Sequence, residues 1–180
     1  DTHRGRITVT TWERAQVAYE AILTPEDTAN AAPVSAPQID RSDQRFALDQ
    51  DGSSWSLNIP GLLRISTGGK QDVEGHYRIT MPTTAALEID DHSSTIEVSG
   101  VEGDVEVDTR EGEAVVDSVR GTPDLNTYVG TVEATGLRGG VALETYTGKA
   151  SLAFDEFSAS SEVETHNGNV QLFLPSDAGF

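Results

Sequence analysis

The sequence predicts an all-β protein, a single-stranded right-handed parallel β-helix (β-solenoid) with coils of about 18 residues. Three observations lead to this fold class. A Thr-x-x-Gly motif recurs along the second half of the chain at a spacing of 18 residues, and of 20 before the last copy. Apolar and polar residues alternate on both sides of each motif, as in half-buried strands. Finally, no repeat has helical periodicity or enough length to bury its own apolar face, so the repeats must stack.

The motif predicts a tight turn between two short strands in every coil. Its threonines are Thr109, Thr127, Thr145 and Thr165. A glycine follows each threonine at the third position, and we expect it to supply a backbone conformation with positive φ. One inward column of side chains is then Ile96, Ala114, Val132, Ala150 and Val170. A further apolar column, which closes each coil, is Val101, Val119, Leu137 and Phe157.

Two other β architectures have similar sequence features. An antiparallel meander of hairpins also has short strands and glycine turns, but the constant spacing and the matched columns favour stacked coils. A left-handed hexapeptide helix shares the 18-residue coil and needs an aliphatic side chain every six residues. Glu113, Thr131 and Lys149 break that series, so the right-handed form is preferred.

The first half of the chain is less regular. We predict one domain over 1–180, in which 1–82 form irregular N-terminal coils and 83–180 the regular repeats. Strands are predicted at 46–48, 55–59 and 77–81 from their alternating apolar residues. A Pro-, Ala- and Ser-rich stretch predicts a long loop at 24–44. The stretch 12–23 has apolar spacings that fit either a helix face or a strand.

Composition excludes several classes of function. The chain has 30 acidic against 12 basic residues, a net charge of -18, and no cysteine. It therefore has no disulfide framework, no thiolate metal site and no cysteine nucleophile. Such a charge also argues against binding nucleic acid or an anionic membrane surface, and no apolar run is long enough to insert into a membrane. Residues 83–180 hold 19 acidic and 4 basic side chains, so most of the charge belongs to the repeats.

Three parts of the sequence resemble the bacterial adhesin domain family, whose function is unknown. They are the opening Gly-Arg-Ile-Thr-Val-Thr-Thr-Trp at 5–12, the Thr-x-x-Gly coils, and the ending Thr-His-Asn-Gly-Asn-Val-Gln-Leu-Phe-Leu-Pro at 165–175. The resemblance implies a β-helical fold in a secreted, periplasmic or cell-surface protein whose signal peptide has been removed. It also favours a strand at 17–23, with Glu13 and Arg14 as its turn. It implies no catalytic residue.

Two outward columns carry much of the acidity. The first acidic column is Glu88, Glu106, Asp124, Ala142 and Glu162, and the second acidic column is Asp90, Asp108, Asn126, Glu144 and Glu164. Stacked carboxylates repel one another and can recruit cations, and Ca²⁺ prefers several carboxylate oxygens. Oxygens in a flat column do not converge on one point, however. The columns are therefore interpreted mainly as a solvated face, with a divalent-cation surface as the alternative.

The residues just after the corner, which follow the threonines or Asp91 at the equivalent position, form a second candidate site, the corner column: His92, Arg110, Tyr128, Tyr146 and His166. Stacked Tyr and His side chains could dock sugar rings. The competing interpretation is that ring stacking only stiffens the turn. If the protein binds a ligand, the corner column is the site we predict.

The leading functional prediction is a non-catalytic structural or adhesion-like module without a cofactor. Its partner would be a glycan or another envelope protein, and copies could associate through the ends of the solenoid. The alternative is a carbohydrate-active β-helix enzyme that uses surface carboxylates. Glycoside hydrolysis needs two carboxyl groups that flank a cleft, whereas we expect the acidic columns to lie on a convex surface without one. The four histidines lack metal-ligand spacing.

Overall fold

The computed structural model describes residues 5–14, 17–25, 38–40, 45–50, 53–58, 62–66, 73–176 and 178. Within these ranges the regular secondary structure consists entirely of strands. The described strands are β1 (Gly5–Trp12), β2 (Ala18–Pro25), β3 (Gln38–Asp40), β4 (Arg45–Gln50), β5 (Ser53–Asn58), β6 (Leu62–Ser66), β7 (Val73–Pro82), β8 (Ala86–Asp91), β9 (Thr95–Ser99), β10 (Val105–Asp117), β11 (Arg120–Gly121), β12 (Asp124–Gly139), β13 (Ala142–Phe157) and β14 (Glu162–Phe173).

The strands of the second half stack in parallel as a β-solenoid. Thr109 lies opposite Thr127, and Thr127 opposite Thr145, so each of these coils has the predicted 18 residues. The last described coil has 20, because Thr145 lies opposite Thr165. These parallel registers confirm the solenoid and exclude the antiparallel meander for this part of the chain.

Each coil has two faces that meet at a corner just after its threonine. The acidic face consists of β6, β8 and the first parts of β10, β12, β13 and β14. The second face consists of β7, β1, β9 and the remaining parts of the same long strands. Leu137 is buried near the end of β12, and next to the corner the buried side chains are Leu125 and Thr127 before it, and Val132 and Ala134 after it. This switch from odd to even numbers keeps apolar side chains inside on both faces.

The core confirms the predicted inward columns. Ile96, Ala114, Val132 and Ala150 are all buried, and Val170 on the last coil is half-buried. Full burial of an aliphatic side chain of this size contributes about 1.5–3 kcal/mol, so the columns supply much of the stability. The closing column differs in one coil, since Leu137 lies opposite Phe154 and not the predicted Phe157. An irregularity of the ladder around Leu137 produces this offset, and Phe157, which lies opposite Gly139, packs edge-on against Phe154 instead.

The role predicted for the corner glycines is wrong for most of them. Of the described corner glycines only Gly112 has a positive φ, of 150°. The constraint is one of space, because a Cβ at Gly130 would clash with the carbonyl oxygen of Gly112, and one at Gly148 with that of Gly130. Neighbouring coils therefore approach so closely at this corner that only glycine fits.

The first strand is inserted into the stack of coils. β1 pairs in parallel with β7 on one side and with β9 on the other. β2 then pairs with the opposite edge of β7 in the antiparallel direction. This confirms the strand expected at 17–23 and excludes the helix, and Glu13 and Arg14 form the predicted bend between β1 and β2.

The predicted loop at 24–44 is only partly correct. β2 continues to Pro25, and β3 lies within the interval, while 26–37 and 41–44 are outside the described residues. β3, β4 and β5 form a separate antiparallel sheet, which the sequence did not predict. The strands predicted at 46–48, 55–59 and 77–81 correspond to β4, β5 and β7, and β6 was missed. The described residues include no helix long and apolar enough to span a membrane.

Candidate functional site

An open groove of about 670 Å³ runs along the corner of the solenoid, across neighbouring coils. It crosses the ends of the acidic-face strands and the residues that follow them. Its lining comprises Asp90, Asp91, His92, Asp108, Thr109, Arg110, Asn126, Thr127, Tyr128, Glu144 and Tyr146. The expectation of a surface without a cleft is therefore wrong at the corner, where side chains of two columns project on either side of a depression.

The corner column forms one wall of this groove. The rings of Tyr128 and Tyr146 have centroids 4.8 Å apart, and those of Tyr146 and His166 are 4.6 Å apart, with an angle of 7° between planes in both pairs. The parallel backbone register imposes this arrangement, because it repeats the corner residue at the strand spacing of about 4.8 Å. The predicted stack of aromatic side chains is thus present.

Stacking restricts how these rings could contact a ligand. Both faces of the Tyr146 ring are covered, one by Tyr128 and the other by His166. Tyr128 and Tyr146 nevertheless remain 52% and 46% exposed, so their edges and phenolic hydroxyls face the solvent. A sugar would therefore contact Tyr146 through its ring edge and hydroxyl and not through a ring face. Each stack also stabilises the corner, with a favourable interaction energy of about 0.5–1.5 kcal/mol.

The other two predicted members of the column lie at its beginning. His92 is half-buried, and its carbonyl oxygen accepts a hydrogen bond of 2.8 Å from the Glu111 N–H, which joins two coils at the corner. Arg110 is exposed and is the one basic residue among the groove lining. It supplies guanidinium donors next to the carboxylates of the opposite wall.

The second acidic column forms that opposite wall. Its members lie directly opposite one another in register, from Asp90 through Asp108 and Asn126 to Glu144 and Glu164. The first four line the groove. Their side chains offer acceptors at every coil, and Asn126 adds an amide donor. Together with Arg110 and the phenols, the groove presents both donors and acceptors along its length.

The first acidic column has the predicted register but lies outside the groove. Glu106 is opposite Glu88 and Asp124, and Ala142 is opposite Asp124 and Glu162. Glu106, Asp124 and Glu162 are exposed on the acidic face. Among the described residues no group of three or more His, Asp or Glu side chains has the geometry to hold a metal ion. The carboxylates of both columns are thus placed side by side and do not converge.

The floor of the groove contains residues that the sequence did not predict as part of the site. Asp91 is buried and accepts hydrogen bonds from the Ser94 N–H at 2.5 Å and the Ser94 hydroxyl at 3.0 Å. It occupies the position that Thr109 has in the next coil, which is the signal that could have identified it.

Burial, and then the negative charge of Asp91, raise the pKa of Tyr77 to about 12.

Thr109, Thr127 and Thr145 continue the inward column that Asp91 begins, and all three are buried. The Thr109 hydroxyl donates to the Glu111 carbonyl oxygen at 3.4 Å. The hydroxyl oxygens of Thr127 and Thr145 have no hydrogen-bond partner among the described residues. In these three coils the repeated threonine is therefore a buried corner residue of the core, and Thr109 and Thr127 form part of the groove floor.

Comparisons of this chain with family models, with curated proteins and with solved structures find no match.

Proposed function

We propose that this protein is a non-catalytic binding module of an exported or cell-envelope protein, and that its corner groove binds a neutral glycan. The observation that carries the proposal is the groove itself, which has stacked phenols on one wall and a column of carboxylate and amide groups on the other. This makes the protein adhesion-like in the sense that it would attach to a carbohydrate or to an envelope component that carries one. The resemblance of the sequence to the adhesin domain family supports the same location.

The repeat of the groove favours an extended ligand. Donors and acceptors recur at each coil, about 4.8 Å apart, so a chain of sugar units can make similar contacts several times over. Hydroxyl groups suit this lining because they donate to carboxylates and accept from Arg110 or a phenol. A linear oligosaccharide therefore matches the groove better than a compact small molecule does.

The charge of the groove favours a neutral ligand. Asp90, Asp91, Asp108 and Glu144 line it together with a single arginine. An anionic polysaccharide would meet this excess of carboxylates and the acidic face beside it, and like charges at such distances repel. Uronic-acid or sulfated glycans are thus expected to bind more weakly than neutral ones of the same length.

The experiment is a glycan array followed by titration of the best neutral ligand against the parent, a double phenylalanine variant and two carboxylate variants. Tyr128→Phe combined with Tyr146→Phe keeps the ring stack and removes two hydroxyls, so binding should weaken roughly tenfold while thermal stability stays close to that of the parent. Asp108→Asn should also weaken binding. Glu106→Gln is the matched control on the same strand outside the groove, and it should bind normally. Equal binding by all variants, or no glycan bound by the parent, would contradict the proposal.

A carbohydrate-active enzyme is the second candidate, and one observation favours it. Asp90 and Asp108 are opposite one another in the groove, and the strand spacing of about 4.8 Å is close to the roughly 5 Å between the carboxyl groups of retaining glycosidases. The two functions differ in one measurement, the release of new reducing ends from the bound glycan. Release by the parent that Asp108→Asn abolishes would establish the enzyme and exclude the non-catalytic module.

A further inference from the structure

β14 pairs with β13 along one edge, and no described strand pairs with its other edge. On this last described coil the outward Glu162 N–H donates to the Val141 carbonyl oxygen of the preceding coil at 2.9 Å. The inward Leu87 N–H of an earlier coil donates instead to the Asp104 carbonyl oxygen of the coil that follows it, at 2.8 Å. Backbone groups alternate in direction along a strand. The residues of β14 whose N–H and C=O point to the open edge are therefore the inward ones: Val163, Thr165, Val170 and Leu172.

The open edge also exposes an apolar side chain that the preceding coil buries. Leu172 is 52% exposed, whereas Leu152, which lies opposite it in the preceding coil, is fully buried, and the outward Phe173 beside it is 56% exposed. An exposed strand edge with apolar side chains is a template for pairing with another chain.

The sequence of β14 is complementary to itself when one copy is reversed. We propose that two copies of this protein form a two-fold symmetric dimer by antiparallel pairing of their β14 strands, with Glu162 opposite Phe173 and Glu164 opposite Gln171. All twelve residues then pair. Because the inward positions change from odd to even numbers at the corner, this register places inward residues opposite inward ones, Val163 against Leu172 and Thr165 against Val170. The residues with free backbone groups thus face each other as hydrogen-bonded pairs.

Charge distribution favours this register and this partner. The carboxylates of β14 all lie before the corner, and its second part, Asn169–Phe173, carries none. Antiparallel pairing places the acidic part of one copy against the neutral part of the other, and the Gln171 amide can donate to the Glu164 carboxylate. A parallel arrangement would instead place Glu162 and Glu164 against their own copies, which is unfavourable.

The dimer has a consequence for the groove. Its central pair is Asn167 with Gly168, directly after His166 at the corner, so the two-fold axis passes beside the end of the aromatic stack. The corner columns of the two copies then continue one another end to end. The interface is limited to one strand from each copy, so we expect a weak, concentration-dependent dimer.

Sedimentation velocity over a wide range of protein concentration tests the dimer. Gln171→Glu places a new carboxylate against Glu164 twice per dimer, and the dissociation constant should rise at least about tenfold. Thr131→Glu is the matched control, since it adds the same charge on the second face away from the edge and should dimerise as the parent does. Adding Glu164→Lys to Gln171→Glu creates opposite charges at the same place and should restore dimerisation. A parent that stays monomeric at every concentration overturns the proposal.

Cysteine pairing tests the register, because the chain has no cysteine of its own. Glu164→Cys and Gln171→Cys variants, mixed under mild oxidation, should form a mixed disulfide, since opposite side chains in such a pair have Cβ atoms about 4.5–5.5 Å apart. Each variant alone should form far less disulfide. Equal cross-linking by the separate variants would overturn the antiparallel register even if a dimer exists.

Discussion

The two ends of the described solenoid differ in how they finish. At the N-terminal end, β1 fills a place in the second face and the antiparallel strand β2 covers the outer edge of β7. At the C-terminal end, β14 follows the pattern of the coils before it and no described strand covers it. The inward Ile7 and Val9 are fully buried at the first end, while the inward Leu172 is exposed at the other. The same alternation of apolar residues therefore has different consequences, because burial depends on the next strand.

Antiparallel pairing explains why the second face is closed at the first end. A parallel solenoid grows by adding another coil in the same direction, and a reversed strand interrupts that growth. Ion pairs at this end are exposed, such as Arg78 with Glu20 at 2.8 Å and Arg6 with Glu97 at 3.4 Å. Pairs of this kind contribute little to stability. The closure thus depends on backbone pairing and on the buried aliphatic side chains of β1 and β7.

The two ends should differ most in the stability that is lost when an inward aliphatic side chain is replaced by alanine. Ile7→Ala removes a side chain with no exposed surface, and the free energy of unfolding should fall by about 2–5 kcal/mol. Leu172→Ala removes one that is half-exposed, and the loss should stay below about 1 kcal/mol. Urea unfolding followed by circular dichroism measures both. Similar losses for the two variants would show that the C-terminal edge is covered in solution.

The corner glycines give the second comparison. Gly130→Ala drives a methyl group into the Gly112 carbonyl in a coil held between two neighbours, and we expect a loss of about 2–3 kcal/mol. Gly168→Ala creates the same clash with the Gly148 carbonyl. Its coil can move outward, because no described strand packs beyond it, so the loss should be about half as large. Thermal unfolding of the two variants in parallel tests this, and an equal loss would contradict the freedom assigned to β14.

The smallest expected effect concerns pH at the closed end. The pKa of Tyr77 is raised from 10.0 to about 12, first by burial and then by Asp91. In the unfolded chain the phenol ionises near pH 10, whereas in the folded protein it stays neutral to about pH 12. Its contribution to stability is therefore complete below pH 10 and is lost as the pH rises towards 12; two pKa units correspond to about 2.7 kcal/mol, which solvent screening of this partly exposed phenol reduces to roughly 1–2 kcal/mol.

Tyr77→Phe should remove that dependence. Chemical denaturation at several pH values between 9 and 12 should show a shallower decline for the variant than for the parent, with Tyr128→Phe as the control at an exposed phenol. Parallel declines for the parent and Tyr77→Phe would contradict the assignment of the effect to Tyr77.

Much of the regular half could be predicted from sequence because its interactions repeat. The position of Thr127 relative to Thr109 predicts which residues are opposite one another along the whole of β10 and β12, as the structure confirms. The same register predicts the stacking of Tyr128 on Tyr146. The groove beside them was missed, since a pattern of alternating residues gives the side of a strand and not the depth between two columns.

The N-terminal part could be predicted only element by element. Alternation in Ile7 and Val9 indicates a strand but does not say which strands it joins, and no repeat relates 5–12 to β7 or β9. The insertion between them depends on contacts about 70 to 90 residues apart in the chain. Asp91 was missed for a related reason, because a carboxylate at a threonine position looks like an ordinary surface charge until its burial and its bonds to Ser94 are seen.

The sequence by itself determined the solenoid, its 18-residue coils, the inward columns and the two acidic columns that hold much of the charge of -18. These follow from a repeat in which each residue meets its own equivalent one coil away. Only the tertiary structure decided where β1 is placed, why glycine is needed at the corner, and that the corner column borders a groove. Those features depend on the distances between backbones and side chains far apart in the chain, which a periodic pattern does not contain.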